Sequence, residues 1–409
     1  WPLLAGEHTT LTFLTWKPGI PGVWERLIRR FEAENQDIRV QRQVGPQSST
    51  QFHAIVSQRL KNRDPSVDVF FMDVIWSPEF ASAGWVLDLS PWFPATERKR
   101  FLTGPIAANT YRAGIYAIPS FLDAGLLYYR TDLLKKYGYD PPRTWNFMLS
   151  QGKKIIEGEQ DPTLHIYSAQ FKQYEGLVCN MMEFIWSNGG AVLEHSTGKV
   201  RLTRPPALEA VAFVRDRIIG KAAPRGVLSY EEPESLALFI QGKAIFHRNW
   251  PYAWTVANDP DRSKVAGKVG VVSLPAFQGH SPAPALGGWQ FGINRWSRHP
   301  DAARRFVQFM TSYQAQKTLA LEAGRAPTRR AIYQDPEVRF RAPHFVSFLP
   351  AFEKARPRPL TPLYPYISQE LQRFFSRAIS DPTSNIYSLA REVAVRIEGI
   401  NRLGTAIQP

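Results

Sequence analysis

One stretch of the chain, residues 116–130 with the sequence YAIPSFLDAGLLYYR, constrains the fold more than any other. Its aliphatic and aromatic residues predict a single buried strand, interrupted at Pro119 and again at Asp123. A carboxylate buried in such a strand is costly unless it is paired or hydrogen-bonded. Asp123 therefore either holds a local backbone group in a structural role or faces a polar cleft, and the sequence leaves both interpretations open.

Strands and amphipathic helices alternate in the first part of the chain. Residues 9–15, 38–44 and 67–72 have the composition of strands, and the stretches between them have helical spacing. This alternation predicts an α/β fold with a parallel or mixed sheet and helices on its faces. Ligands bind beyond the C-terminal strand ends of such sheets, and Asp73 lies at one of these ends. Further along, residues 301–320 have the spacing of one long helix.

Length, charge and composition limit the classes of function. The 409 residues predict two domains of ordinary size, and 44% hydrophobic with 21% charged residues indicates a globular chain. The formal charge of +14 comes from Lys and Arg that are scattered along the sequence. Without a recognisable nucleic-acid-binding motif, this charge predicts a basic surface rather than a nucleic-acid partner.

Motifs for catalysis and for cofactors are missing from the sequence. We find no phosphate-binding loop, no nucleophile elbow and no HExxH pair, so we expect no catalytic residue, no metal and no cofactor. The lone Cys179 is interpreted as a small buried hydrophobe, and a near-absence of cysteine suits a cytoplasmic chain or a bacterial extracytoplasmic one. The sequence opens on Trp1 and holds no apolar run of about 18 residues, so we expect a mature or trimmed form whose signal segment lies upstream.

Polar groups embedded among aromatic residues are the most distinctive feature. Asp73 and Asp123 lie in apolar strands, the run NWPYAW at 249–254 follows a strand directly, and Gly287 and Gly288 precede Trp289. Pyranose rings stack their C–H faces on aromatic rings, and their hydroxyls donate to carboxylates. Paired glycines in a strand indicate the close approach of a ligand or of another backbone. Together these features predict a carbohydrate site.

The same stretches resemble a known family along nearly the whole chain. The sequence resembles the solute-binding proteins of ABC importers, and within them the trehalose/maltose-binding branch of the family 1 extracellular solute-binding proteins. The stretches that carry the resemblance are FMDVIW at 71–76, AGW at 83–85, DAGLLYYR at 123–130, QYEGLVC at 173–179, RNWPYAW at 248–254, LGGW at 286–289 and PRP at 357–359.

The resemblance implies a two-lobed periplasmic-binding-protein fold of type II, with discontinuous lobes joined by a three-segment hinge. The N-lobe would comprise residues 1–120 and 288–335, and the C-lobe residues 121–287 and 336–409. The ligand cleft would lie between the lobes, which would close on the ligand. The family's ligand residues fall on Asp73, Asp123, Trp250, Tyr252, Gly287, Gly288, Trp289 and Arg358.

The chain departs from the branch in the N-terminal half of the implied site. Lys17 to Gly22 contains no acid where the branch has a ligand-contacting Glu, and an Arg expected near Gln51 is absent. A Tyr expected two residues before Asp123 is Phe121. These changes leave one sugar subsite intact and affect the second, so glucosylglycerol, a compatible solute with a smaller aglycone, becomes as plausible a ligand as trehalose. Sucrose and maltose are the other candidates. Gln51 and Lys17 are candidates to replace the lost contacts.

The resemblance also implies a partner and a location. A monomer at the cell surface or in the periplasm, free or lipid-anchored, would deliver its ligand to the transmembrane permease subunits of an ABC transporter. Two other interpretations stay open from the residues alone. One is a glycoside hydrolase that uses Asp73 and Asp123 as acid and base, and the other is a binder of a solute that is not a sugar.

Overall fold

The computed structural model describes residues 8–16, 22–194 and 198–406. Its strands, numbered in chain order, are β1 (Thr9–Thr15), β2 (Ile38–Val44), β3 (Val69–Asp73), β4 (Thr110–Tyr111), β5 (Gly114–Ile115), β6 (Ile118–Ala124), β7 (Leu126–Arg130), β8 (His165–Ser168), β9 (Ala244–Asn249), β10 (Val269–Ser273), β11 (Leu286–Ile293) and β12 (Ala326–Pro327).

Helices lie between most of these strands. They are α1 (Val23–Glu34), α2 (Ser49–Lys61), α3 (Ser77–Ser82), α4 (Ala95–Arg98), α5 (Thr103–Ala108), α6 (Thr131–Lys136), α7 (Trp145–Glu159), α8 (Glu175–Trp186), α9 (Pro205–Phe213), α10 (Glu232–Ile240), α11 (Ala253–Ala257), α12 (Pro300–Met310), α13 (Tyr313–Ala323), α14 (Pro336–Arg341), α15 (His344–Lys354), α16 (Tyr364–Ser380) and α17 (Ile386–Ala406). A π-helical turn (Val214–Ile218) continues α9, and 3-10 turns lie at Arg225–Ser229 and Arg330–Gln334.

The chain divides into two compact units. Unit 1 comprises residues 1–123, 287–346 and 360–362, and unit 2 comprises residues 124–286, 347–359 and 363–409. Residues 336–346 group with unit 1, whereas the sequence-based assignment gave residues 336–409 to the C-lobe. The lobe boundaries inferred from the sequence stay a prediction.

Unit 1 is built on a six-stranded sheet with the order β12-β6-β11-β3-β1-β2. β1 pairs in parallel with β2 and with β3, and β11 runs antiparallel to β3. The helix α1 packs on this sheet through the buried residues Trp24, Leu27, Ile28 and Phe31, whose spacing gives one apolar face. The prediction of an α/β class with a mixed sheet is therefore confirmed in this unit.

Unit 2 is built on a four-stranded sheet with the order β10-β7-β9-β8. A single apolar core packs this sheet against the helices, and it includes Leu127 of β7, Phe246 of β9, Met181 of α8 and Phe375 of α16. Cys179 of α8 is buried and forms no disulfide, which fits its interpretation as a small hydrophobe. Among the described residues, no helix combines the length and the apolar composition that crossing a bilayer requires.

The prediction of a single strand over residues 116–130 is wrong. The segment forms β6 and β7, which belong to different sheets, and the interruption lies at Gly125 rather than at Pro119 or Asp123. A Cβ on Gly125 would lie 2.0 Å from Oε1 of Glu183, so only glycine fits where the chain leaves one sheet for the other. Pro119 is accommodated inside β6.

The prediction of one long helix over residues 301–320 is also wrong. The helix divides into α12 and α13 at Thr311 and Ser312. The Thr311 hydroxyl donates to the carbonyl of Val307 at 2.7 Å, and Ser312 caps the next helix by accepting from the backbone N–H of Ala315 at 3.2 Å. Serine side chains compete for backbone hydrogen bonds in this way, and they favour helix N-termini.

Candidate functional site

Several of the predicted site residues meet at one edge of the sheet in unit 1. Asp73, the last residue of β3, lies opposite Trp289 of β11 in the antiparallel register. The carbonyl of Gly288 accepts from the N–H of Val74 at 3.2 Å, and the Cα of Gly288 lies so close to β6 that an added Cβ would be 3.2 Å from the backbone nitrogen of Asp123. Asp73 and Asp123 therefore flank the same Gly-Trp step of β11.

Both carboxylates are buried at this edge. Asp73 is 8% exposed and Asp123 is 7% exposed. Oδ1 of Asp73 accepts a long hydrogen bond of 3.4 Å from the N–H of Ile75, in the turn that follows β3. Buried carboxylates require hydrogen-bond donors, and sugar hydroxyls are one class of donor that can supply them.

Gly288 lies against the backbone of a neighbouring strand. Its φ is +120°, and an added Cβ would lie 2.5 Å from the carbonyl oxygen of Phe121. Of the two possibilities that the glycine pair left open, the close approach at this position is therefore that of another backbone, the strand β6. Gly287 precedes it in β11 and is buried. Contact of Gly287 and Gly288 with a ligand stays a prediction.

Trp289 lies in an aromatic cluster. Its ring stacks on that of Trp16 with centroids 4.5 Å apart and planes 3° apart, and it meets the edge of Trp76 at 5.7 Å. The ring centroid of Phe52 in α2 lies 5.8 Å from that of Trp289. Trp16 follows β1 directly, and our sequence analysis did not single it out. A tryptophan just after a parallel strand was the signal available, since ligand sites of α/β sheets lie there.

The structure describes part of the N-terminal half of the implied site, where the sequence departs from the branch. Gln51 is exposed on α2, next to Phe52 of the cluster, whereas Lys17 lies outside the described residues. Phe121 is buried, with its ring 5.8 Å from Trp16. The guanidinium of Arg325 lies over both rings, 4.8 Å from the centroid of Phe121 and 5.5 Å from that of Trp16. The sequence analysis did not identify Arg325, which comes directly before β12.

In unit 2 the predicted aromatic platform follows β9. Trp250 and Tyr252 are half-buried. The Nε1–H of Trp250 donates to Oε1 of Glu232 at 3.0 Å, and the hydroxyl of Tyr128 donates to the carbonyl of Trp250 at 2.9 Å. The guanidinium of Arg248 lies 3.8 Å from the ring centroid of Trp250. Glu232 and Arg248 were not predicted as site residues.

Electrostatics around Trp250 are set by burial and by one ion pair. Burial raises the pKa of Glu232 above its ordinary value. Burial alone would lower the pKa of Arg248, but the charge and hydrogen bonds of Glu183 raise it. Burial lowers the pKa of His247, the neighbour of Arg248, to about 3, so this histidine is neutral at physiological pH.

Arg358, the predicted arginine of the site, is buried in unit 2 and paired. Its NH1 donates to Oε1 of Glu175 at 2.8 Å, and its NH2 donates a long bond of 3.4 Å to the carbonyl of Leu286. Glu175 also accepts from the hydroxyls of Tyr364, at 2.6 Å, and of Ser368. Arg358 thus belongs to a buried network in unit 2, and its contact with a ligand stays a prediction.

Comparison with known proteins establishes the family. The model of the bacterial extracellular solute-binding protein family matches residues 17–317. The chain belongs to this family. A "Probable ABC transporter-binding protein" of Deinococcus radiodurans is 40% identical over 319 residues, which is 77% of this chain and 75% of the relative. The recognition of an extracellular solute-binding protein from the sequence is therefore confirmed, whereas its trehalose or glucosylglycerol branch stays a prediction.

Solved structures confirm the two-lobed solute-binding fold class. Maltose-bound MalE3 of T. maritima is 36% identical, with a TM-score of 0.90, and the match covers 96% of this chain and all of that one. A solute-binding protein of Agrobacterium vitis with bound D-mannitol has a TM-score of 0.84 at 22% identity, over 98% of this chain and 100% of that one. At that identity the second likeness concerns the fold alone.

Proposed function

We propose that this chain is the solute-binding component of an ABC importer and that it captures a glucoside or a disaccharide. The observation that carries the proposal is the register pair of Asp73 and Trp289, in which a buried carboxylate lies opposite an indole that stacks on Trp16. A pyranose needs both groups, an aromatic surface for its C–H face and a carboxylate for its hydroxyls. The likeness to maltose-bound MalE3 supports the same class of ligand.

Glucosylglycerol, trehalose, sucrose and maltose are the candidate ligands. Isothermal titration of the purified protein with each of them, and with mannitol as a polyol, tests the proposal. We expect one glucoside or disaccharide to bind with a Kd of roughly micromolar, as suits a scavenging protein. Preference for glucosylglycerol would follow from the changes at Lys17–Gly22, Gln51 and Phe121. A chain that binds none of the four candidate ligands, or that binds mannitol alone, would contradict the proposal.

Variants of Trp250 and Asp123 test whether each side chain contacts the ligand or has only a structural role. We expect Trp250→Ala to weaken sugar binding by more than about 1 kcal/mol without unfolding the protein. Asp123→Asn should also lose affinity, because a neutral amide replaces a charge-assisted acceptor. If Asp123→Asn binds normally and only its melting temperature falls, then Asp123 is a structural carboxylate.

Capture by closure of the two units, which the resemblance implies, is part of the proposal. Small-angle scattering with and without saturating ligand measures it, and we expect the radius of gyration to decrease on binding. Delivery to permease subunits would follow closure. An unchanged radius of gyration in a protein that binds sugar would exclude closure as the capture step.

The alternative of a glycoside hydrolase rests on the same two carboxylates, Asp73 and Asp123. Two carboxylates in a sugar site do not by themselves distinguish binding from hydrolysis. Incubation of the protein with maltose or trehalose, followed by an assay for free glucose, decides between them. We expect no glucose above the protein-free control, and release at an enzymatic rate would replace the transport proposal.

A further inference from the structure

The indole of Trp250 rests on a buried cation. The guanidinium carbon of Arg248 lies 3.8 Å from the ring centroid of Trp250, which is the distance of direct stacking. Arg248 is 1% exposed, whereas Trp250 is half-buried. Because the guanidinium occupies one face of the indole, only the opposite face is available for stacking with a ligand.

Arg248 itself is fixed by a fork-to-fork pair with Glu183. Nε donates to Oε2 at 2.9 Å and NH2 donates to Oε1 at 2.6 Å, and Glu183 is 3% exposed. NH1 of Arg248 donates to Oε1 of Gln170 at 3.3 Å. Oε1 of Glu183 also accepts from the N–H of Ala285 at 3.0 Å. A planar guanidinium held at these points has little freedom to rotate.

The edge and the backbone of Trp250 are held as well. The Nε1–H donates to Glu232 at 3.0 Å, and the backbone N–H donates to Oδ1 of Asn249 at 2.7 Å. The carbonyl accepts from Tyr128 at 2.9 Å. The ring therefore has a fixed orientation in unit 2. Arg248 holds one face of the indole, and Glu232 holds its Nε1–H edge.

We propose that Arg248 and Glu183 are positioning residues for ligand binding, which hold the indole of Trp250 ready for a sugar before the sugar arrives. Preorganisation of this kind raises affinity because the ring loses no further freedom on binding. A buried ion pair is weak support for stability, since apolar replacements of similar volume are often as stable. The inference rests on the proposed function, and it adds two residues that do not need to touch the ligand.

The test is a double variant, Arg248→Met with Glu183→Gln. It removes both charges together, so neither is left buried alone, and the amide oxygen introduced at position 183 would still accept from the N–H of Ala285. We expect the variant to stay folded, with a Kd for the sugar that titration identifies raised about tenfold or more. Arg248→Lys keeps the charge but loses the planar face, so its Kd should lie between those of the parent and the double variant.

A matched control lies in unit 1. Arg329 stacks on Phe101 at 4.4 Å and pairs with Glu97 at 2.6 Å. The variant Arg329→Met with Glu97→Gln removes the same kind of group from a ring that is not among the candidate site residues. We expect its Kd to equal that of the parent.

A second readout needs no ligand. In protein labelled with 5-fluorotryptophan, the ¹⁹F line of Trp250 is assigned by its loss in Trp250→Phe. We expect this line to broaden in the ligand-free double variant, because an unsupported indole samples several orientations, whereas the loss of the nearby charge alone would only move it. The control should keep both its position and its width. An unchanged width, or a folded double variant that binds sugar like the parent, would overturn the positioning role. If the parent binds none of the solutes, the proposed function fails, while the line still reports whether Arg248 orients the ring.

Discussion

Trp16 and Trp289 lie face to face, with ring centroids 4.5 Å apart and planes 3° apart. Trp16 follows β1 and Trp289 belongs to β11, and in the sheet of unit 1 these strands are separated by β3. The ring of Phe71 in β3 makes an edge contact with both indoles, with its centroid 5.2 Å from that of Trp16 and 6.2 Å from that of Trp289. The stack thus fixes the plane of Trp289 from a strand that is not its neighbour.

The stack predicts that Trp16 matters for binding even though it was not among the expected ligand residues. We expect Trp16→Ala to raise the Kd for sugar about two- to tenfold, because an aromatic pair contributes about 0.5–1.5 kcal/mol and Trp289 would lose its support. Trp16→Phe keeps a flat ring and should bind almost like the parent. Titration gives the Kd and thermal melting shows that both variants are folded. Equal affinity of Trp16→Ala and the parent would contradict the role.

Gly288 provides a test of the fold at the same edge. Its φ of +120° is rare for L-residues, and an added Cβ would lie 2.5 Å from the carbonyl oxygen of Phe121. We expect Gly288→Ala to cost well over 1 kcal/mol of unfolding free energy, because a backbone atom cannot move aside as a flexible side chain can. Gly84→Ala is the control, since Gly84 has a φ of +67° but no atom within 4 Å of an added Cβ. Urea unfolding should show the larger loss for Gly288→Ala.

Local patterns account for much of this fold. The spacing of Trp24, Leu27, Ile28 and Phe31 gives α1 its apolar face, and Thr144, of a residue type that favours helix N-termini, caps α7 by accepting from the N–H of Phe147 at 3.2 Å. These features depend on residues within one or two turns of each other, so the sequence contains the whole signal.

What the sequence did not predict depends on residues far apart in the chain. Position 125, where the strand breaks, needs glycine because Glu183 and Arg248 occupy the space of a side chain there. The support of Trp289 by Trp16 likewise needs the strand order of the sheet, which periodicity along one strand cannot give. The local sequence was enough to predict that Asp73 ends a strand. It could not show that Trp289 of β11 lies opposite Asp73.

The buried network of Arg358 gives a prediction that separates stability from binding. Arg358→Met would leave Glu175 buried without its cation, and breaking such a pair costs about 3–5 kcal/mol. The double variant Arg358→Met with Glu175→Gln should recover much of that loss, since the new amide oxygen can still accept from Tyr364 and the amide nitrogen can donate to the hydroxyl oxygen of Ser368. Urea unfolding measures both variants. A single variant as stable as the parent would contradict the structural role.

The same double variant tests the ligand role that the resemblance assigns to Arg358. If Arg358 donates to the sugar, the double variant stays weak in titration although its stability has returned. If its affinity matches that of the parent, Arg358 serves only the network with Glu175. Comparing the unfolding free energy with the Kd in one variant keeps the two roles apart.

Asp335 predicts the direction of a pH dependence in unit 1. Its Oδ1 caps α14 by accepting from the N–H groups of Glu337 and Val338, and its Oδ2 accepts from the Tyr313 hydroxyl and from Lys317 at 2.9 Å. The hydrogen bonds from Tyr313 and Lys317 lower the pKa of Asp335 to about 2, from an ordinary value of 3.8. The folded protein therefore binds this proton less readily than the unfolded chain does.

The stabilisation by Asp335 is accordingly complete above pH 3.8 and is lost as the pH falls from there through about 2. Asparagine caps a helix about as well as aspartate but lacks the charge that pairs with Lys317. We therefore expect Asp335→Asn to cost about 1 kcal/mol or more of unfolding free energy at pH 7, with the gap to the parent narrowing between about pH 4 and pH 2. Asp301→Asn is the control, because the side chain of Asp301 is 86% exposed and its contact with Arg304 spans 3.9 Å. It should follow the parent at every pH in urea unfolding. A gap between Asp335→Asn and the parent that stays constant down to about pH 2 would contradict the assignment of this stabilisation to the charge of Asp335.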